Sequence, residues 1–159
     1  MKSKLSHVDR SGTPRMVNVG GKKETQRSAT ACARVWLGPA IMKQLQGEEI
    51  RLAKGPVFQT AILAGIQGAK KTADLIPLCH PLSLEDCSVT VRSEGEYAII
   101  EATANITAKT GVEMEALTAV SVAALTLYDM CKALSHDIRI ESIHLLSKRG
   151  GKRDFVRKA

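Results

Sequence analysis

Two neighbouring stretches alternate strictly between apolar and polar residues, and this pattern limits the fold more than any other feature of the sequence. In 86–92, Cys87, Val89 and Val91 interleave with Asp86, Ser88, Thr90 and Arg92. In 97–107, Ala98, Ile100, Ala102, Ala104 and Ile106 interleave with Glu101, Thr103, Asn105 and Thr107. A period of two belongs to a strand, so the pattern predicts a sheet with one buried and one polar face. The polar face then needs water, the chain's own arms or another subunit. Glu94-Gly95-Glu96 between the two stretches predicts a hairpin.

The next segment changes period. Leu117, Val120, Ala124, Leu127, Cys131 and Leu134 recur every three or four residues, which predicts a long helix over about 113–134 with one apolar stripe. Phe58, Ile62 and Ile66 predict a second helix over about 57–71, after Lys54-Gly55-Pro56. Residues 29–37 read as a strand stopped at Gly38-Pro39, where Pro39 suits the first turn of a short helix. A turn with Gly47, Glu48 and Glu49 comes next, and 74–81, held by Pro77 and Pro81, reads as irregular. Residues 138–146 read as a strand whose apolar phase slips between Ile140 and Ile143, predicting a bulge. The order strand, helices, strand, strand, helix, strand predicts an α+β fold on the ferredoxin-like split βαβ plan: an antiparallel sheet with helices packed on one face. Small residues at helical spacing (Ala61, Ala64, Gly65 and Gly68; Ala116, Ala119 and Ala123) suit close helix contact within the chain or between subunits.

The chain has 159 residues, 44% hydrophobic and 25% charged, which suits a single domain over 1–159. An extended arm at 1–27, with a short strand at Met16–Val19, and a basic tail at 148–159 flank the body. There is no uninterrupted run of about 18 apolar residues, so no membrane-spanning helix is expected. The polar N-terminal stretch lacks the apolar centre of a signal peptide. Cys32, Cys79, Cys87 and Cys131 are too few and too irregular for a disulfide framework, which points to a reduced, cytoplasmic protein. The net charge of +7 is concentrated at the ends: 1–27 and 148–159 each carry +5, and 28–147 carries −3. Such blocks mean an anionic partner or a solvated tail.

Several groups of residues can carry chemistry. Cys79 and His80 sit between two prolines that restrict their loop; His80 reads as a ligand binder, a proton-transfer group or a structural loop histidine. A zinc site from Cys79, His80 and Cys87 is disfavoured, since no CxxC pair exists. Glu113 and Glu115 open the long helix after Lys109-Thr110-Gly111. They are favoured there by the helix dipole and are also placed for acid–base work. Asp129 and Lys132 face one another at i,i+3, as a plain surface pair or as a desolvated base and phosphate holder. Lys54 precedes a helix start, and Lys148–Arg153 (KRGGKR) is a basic, glycine-containing stretch with no Walker motif.

Together, LSHVDRSGTPRMVNV (5–19), KGPVFQTAILAGIQGAKKTADLIPLCHPL (54–82), KTGVEMEALTAVSVAALTLYDMCKAL (109–134) and LLSKRGGK (145–152) resemble the cyclic pyranopterin monophosphate synthase family of molybdenum cofactor biosynthesis, nearly end to end. The resemblance implies a lyase that rearranges 3′,8-cyclo-7,8-dihydro-GTP to cyclic pyranopterin monophosphate and releases pyrophosphate. It implies a hexamer built from dimers, with the pocket at a subunit interface. It also implies catalytic roles for Asp129, Lys132 and Lys54. Leu78, Cys79, His80, Glu113, Met114, Glu115, Lys148 and Arg27 would bind substrate. Neither a resident metal nor a cofactor is implied. Pro56 and Asn18 stand where the family more often has Asp, and the tail is shorter and more basic than usual. A nucleic-acid-binding module is the rival reading. It lacks the expected aromatic string, since 86–92 has no aromatic residue and 97–107 has only Tyr97. A purely structural subunit is the other rival, for which Lys54 and Lys132 would be dispensable.

Overall fold

The alternating stretches form the predicted hairpin. In a computed structural model, which describes Val8 and residues 11–158, they are β5 (Asp86–Glu94) and β6 (Tyr97–Ala108). Lys2, Lys4 and Arg10 of the expected basic arm lie outside the described residues. Ala98, Ile100, Ala102, Ala104, Ile106 and Ala108 are buried along one side of β6, while Glu101 is exposed on the other. β1 (Thr25–Trp36) lies beside β6, with Ala29, Ala31, Ala33 and Val35 buried on the same face. These small and β-branched side chains leave room for helices to lie close to the sheet.

β7 (Arg139–Arg149) pairs with the other edge of β1, and the sheet order is β5-β6-β1-β7-β8, all antiparallel. This is the predicted ferredoxin-like plan. The phase slip in β7 is a real irregularity: Ser142 pairs with Arg34 but Ile140 with Val35, which leaves Glu141 as the extra residue. A second shift, between Thr30 and Ala31, passes over Leu146. The basic tail adds an edge strand, β8 (Phe155–Val156), against Ser147 and Lys148.

α2 (Val57–Lys70) and α4 (Glu113–Cys131) cover one face of the sheet. Their small residues meet inside the chain. A Cβ on Gly65 would stand 3.0 Å from the Ala119 carbonyl oxygen, and one on Gly68 would stand 2.7 Å from the Val122 side chain. Close helix approach inside the chain therefore takes Gly65 and Gly68 of α2 and Ala119 and Ala123 of α4. By length and composition α4 would suffice to cross a membrane, although polar residues interrupt its apolar ones. Here Ala116, Ala119, Val120, Ala123, Ala124 and Leu127 bury it in the core. It stops three residues earlier than expected, since Leu134 is exposed and gains nothing by extending it.

Other departures are local. The turn near Gly47 is a small sheet of β2 (Leu45–Gln46), β3 (Glu49–Leu52) and β4 (Gly55–Pro56), preceded by α1 (Gly38–Met42) with Pro39 in its first turn. A short helix, α3 (Thr72–Leu75), precedes the proline-bounded loop. Met16–Val19 is not a strand. The arm runs irregularly and is tied down by side chains instead, through contacts at Val17 and Gly20.

Candidate active site

The fold brings the proline-bounded loop and the start of α4 around one cavity of about 510 Å³. Leu78, Cys79 and His80 line one side; Glu113, Met114 and Glu115 line another. The irregular arm closes a third side with Val17, Val19 and Lys22, and Lys152 reaches in from the loop after β7. His80 Nε2 donates to the Val17 carbonyl at 2.8 Å, so this nitrogen carries a proton and the arm is fastened to the loop.

The acids in this wall differ. Glu113 accepts a 2.7 Å hydrogen bond from Lys148 Nζ, a pair only about one-third exposed. Glu115 is buried, at 4% exposure. Burial pushes its carboxyl pKa up; a hydrogen bond from its own backbone N–H pulls it down, and Glu113 nearby raises it. Burial also raises the Cys79 thiol, with Glu115 adding to the shift, so this cysteine is a neutral wall group and not a thiolate.

Lys54, Asp129 and Lys132 form a second cluster. Lys132 Nζ lies 2.8 Å from Asp129 Oδ1, and Lys54 Nζ lies 3.2 Å from Oδ2 and 3.0 Å from the Asp129 carbonyl oxygen. One carboxylate thus sits between two ammonium groups. Hydrogen bonds from Lys132 and then Lys54 hold the Asp129 pKa below its ordinary value, and Asp129 in turn raises that of Lys132. All three side chains are about half exposed (47–58%), so the cluster adds little to stability. Lys54 owes its position to the small sheet. Pro56 caps α2 without a side-chain bond, and Glu49 on β3 supplies the missing acceptor, taking the N–H groups of Phe58 (2.8 Å) and Gln59 (3.1 Å).

The two clusters do not meet within the chain. Glu115 and Asp129 stand near opposite ends of α4, about four turns or roughly 21 Å apart along its axis. Arg27 is also outside the cavity: its Nε donates to the Ala108 carbonyl at 3.3 Å, and the residue lines a second cavity of about 440 Å³ with Ser28, Asn105 and Arg149. Its guanidinium lies against the loop after β7, since a Cβ on Gly151 would stand 3.4 Å from Nη1. The sequence pointed to Thr110 and Lys152 only as parts of the Lys109-Thr110-Gly111 and Lys148–Arg153 segments, and to Lys22 only as one charge of the basic arm; the fold puts all three in the wall. Lys22 and Lys152 both follow a Gly-Gly pair, which was the available signal. Among the described residues, no three His, Cys, Asp or Glu side chains converge as a metal site requires.

The same segments are shared with known proteins. The chain is 50% identical over 154 residues to the cyclic pyranopterin monophosphate synthase of Xanthomonas campestris, covering 96% of this chain and 93% of the relative. It is 50% identical over 157 residues to the enzyme of that name from Roseiflexus, covering 97% and 98% respectively. It is 53% identical over 157 residues to molybdenum cofactor biosynthesis protein 1 of Drosophila melanogaster, covering 98% of this chain and 27% of that longer protein. Residues 16–151, which include both clusters and the arm that closes the cavity, match the MoaC family, and the chain belongs to that family.

Proposed function

We propose that this chain is a cyclic pyranopterin monophosphate synthase that converts 3′,8-cyclo-7,8-dihydro-GTP to cyclic pyranopterin monophosphate and pyrophosphate, as a lyase of molybdenum cofactor biosynthesis. One observation carries the reading most directly. The LCH loop and the GVEME helix start are distant in sequence, and the fold seats them around one cavity. In this reading Leu78, Cys79, His80, Glu113, Met114, Glu115 and Lys148 bind the substrate, and Arg27 lies toward its phosphates. Asp129, Lys132 and Lys54 move protons as the purine five-membered ring opens and the pyranopterin closes.

The roughly 21 Å between the clusters supports a site shared by two subunits. A base-and-sugar unit cannot touch both ends of α4, so a second copy brings its Asp129 end to the first copy's cavity. At that contact the Asp129 carboxylate, held between the Lys132 and Lys54 ammonium groups, meets the reacting sugar and purine of the substrate and exchanges protons with them. The assembly is a hexamer of paired subunits, each a single catalytic domain. Its substrate is a small molecule, not a nucleic acid or a membrane surface. Four free thiols suit a reducing, cytoplasmic setting.

The test incubates the purified chain with 3′,8-cyclo-7,8-dihydro-GTP and quantifies pyrophosphate and the fluorescent pterin formed on oxidation. Wild type should yield both; Lys54→Ala and Asp129→Ala should each lose about a hundredfold or more. A folded wild type that makes neither product overturns the reading. Full turnover by Asp129→Ala removes the proposed acid–base role.

A further inference from the structure

Glu113 reaches Lys148 by turning back over the chain that leads into its helix. It is the first residue of α4, and Cα–Cβ bonds in a helix tilt toward the N-terminus, so its side chain covers the residues before it. Two positions earlier stands Gly111. A Cβ there would collide with Glu113 Oε2 and would stand 2.7 Å from Cδ and 3.0 Å from Oε1. The carboxylate thus occupies the space that any other residue at this position would fill with its own side chain. From that space Oε1 accepts the 2.7 Å hydrogen bond from Lys148 Nζ.

The backbone does not call for this glycine. Gly38, Gly47, Gly55 and Gly95 have positive φ, as a tight turn demands, and Gly111 does not. The collision is also confined to one group. The three atoms nearest to a Cβ on Gly111 all belong to the Glu113 carboxylate, whereas a Cβ on Gly65 or Gly150 would meet a backbone carbonyl. The end of a side chain can swing to another rotamer, and backbone packed in a fold cannot. Gly111→Ala should therefore spare the fold and move the carboxylate. Its position matters to the site: Gly111 and Glu113 both line the cavity, and the pair with Lys148 is only about one-third exposed. The same carboxylate lies near enough to Glu115 to raise its pKa.

We propose that Gly111 is a positioning residue of the candidate active site: its missing side chain gives the Glu113 carboxylate the one place from which it holds the Lys148 ammonium. The consequence for turnover rests on the synthase reading above; the placement of the two charges does not. Gly111 touches none of the reacting atoms in that reading. Its replacement should weaken substrate binding through a misplaced pair and leave the chemical step to the Asp129 cluster.

The experiment compares wild type with Gly111→Ala, Glu113→Ala and the double variant. Trace acetylation by acetic anhydride, read at Lys148 by mass spectrometry, reports the pair without any need for turnover. Lys148 should be labelled about threefold faster or more in all three variants, because its amine has lost a charge-assisted hydrogen bond. Gly111→Ala should melt within a few degrees of wild type. It should raise KM for the cyclised GTP about tenfold, with kcat changed less than about threefold. The double variant should match Glu113→Ala within about twofold in KM, since no carboxylate is left to displace. Unchanged Lys148 labelling in Gly111→Ala overturns the proposal. So does a Gly111→Ala effect that persists in full on the Glu113→Ala background, or one accompanied by a large fall in melting temperature, since either makes the glycine a requirement of the fold. Faster labelling in the variants of a wild type that makes no product would sustain the placement and defeat the synthase reading; normal turnover with unchanged labelling would do the reverse.

Discussion

Mixing two crippled variants should restore activity if, as proposed, the site takes its two halves from different subunits. Asp129→Asn spoils one end of α4 and Glu115→Gln the other, about four turns away. Alone, Asp129→Asn should lose about a hundredfold or more in turnover, the usual contribution of an acid–base group. Glu115→Gln should lose about tenfold to a hundredfold, for one charge-assisted hydrogen bond of about 1.5–3 kcal/mol. In a two-fold pair, each site takes the Glu115 end of one subunit and the Asp129 end of its partner. A heteropair of the variants then carries one intact site and one doubly defective site. Random association at equal amounts makes half of all pairs mixed, so activity should reach about one quarter of wild type. The assay is pyrophosphate release after co-expression with two different affinity tags, which allow the mixed oligomer to be isolated. If that oligomer is no more active than the separate variants together, the shared site is refuted, and each chain would have to bring its own distant clusters together.

Three further outcomes follow from local geometry. Removing the Glu49 carboxylate (Glu49→Ala) should cost about 1–2 kcal/mol, as a lost helix cap does, and should lower turnover by loosening Lys54; denaturant unfolding beside the exposed control Glu48→Ala measures it. Gly68→Ala should not show the gain of about 1 kcal/mol that helix propensity favours, because the new Cβ would stand 2.7 Å from Val122; overpacking of about 1–3 kcal/mol should leave it neutral or destabilised in thermal melts. Glu115→Gln should melt higher than wild type at pH 7, with the difference fading as the pH falls toward 4.5, the ordinary value for this group. The sign follows from a folded-state pKa raised by burial: below the unfolded value both states are protonated, and stability is lost as the pH rises through the raised value. A difference that grows on acidification would mean Glu115 is stabilised as a carboxylate.

The ferredoxin-like order was legible in the sequence because its signals are local. Alternation in 86–92 and 97–107 records which side of a sheet is dry, and the slip between Ile140 and Ile143 records a ladder that gains a residue at Glu141. The small sheet of β2, β3 and β4 was not legible, since strands of two to four residues carry too few side chains to show a period. Its Glu49 acts nine residues away, on the N–H of Phe58, which no local pattern announces.

Residue types and family resemblance sufficed to single out Leu78, Cys79 and His80, the start of α4, and the Asp129 cluster. What the sequence by itself determined is therefore the secondary-structure order and the chemical groups on offer, because periodicity and motif are properties of short stretches of chain. Tertiary structure alone decided how those groups are distributed. A rigid helix holds Glu115 and Asp129 about 21 Å apart, so one chain cannot close the proposed site. The same packing sets Gly65 and Gly68 of α2 against α4 inside the chain, leaving the proposed subunit contact to other surfaces. Antiparallel pairing of β1 with β7 brings Lys22 and Lys152 to one cavity from opposite parts of the sequence, through long-range contacts that no window of neighbouring residues contains.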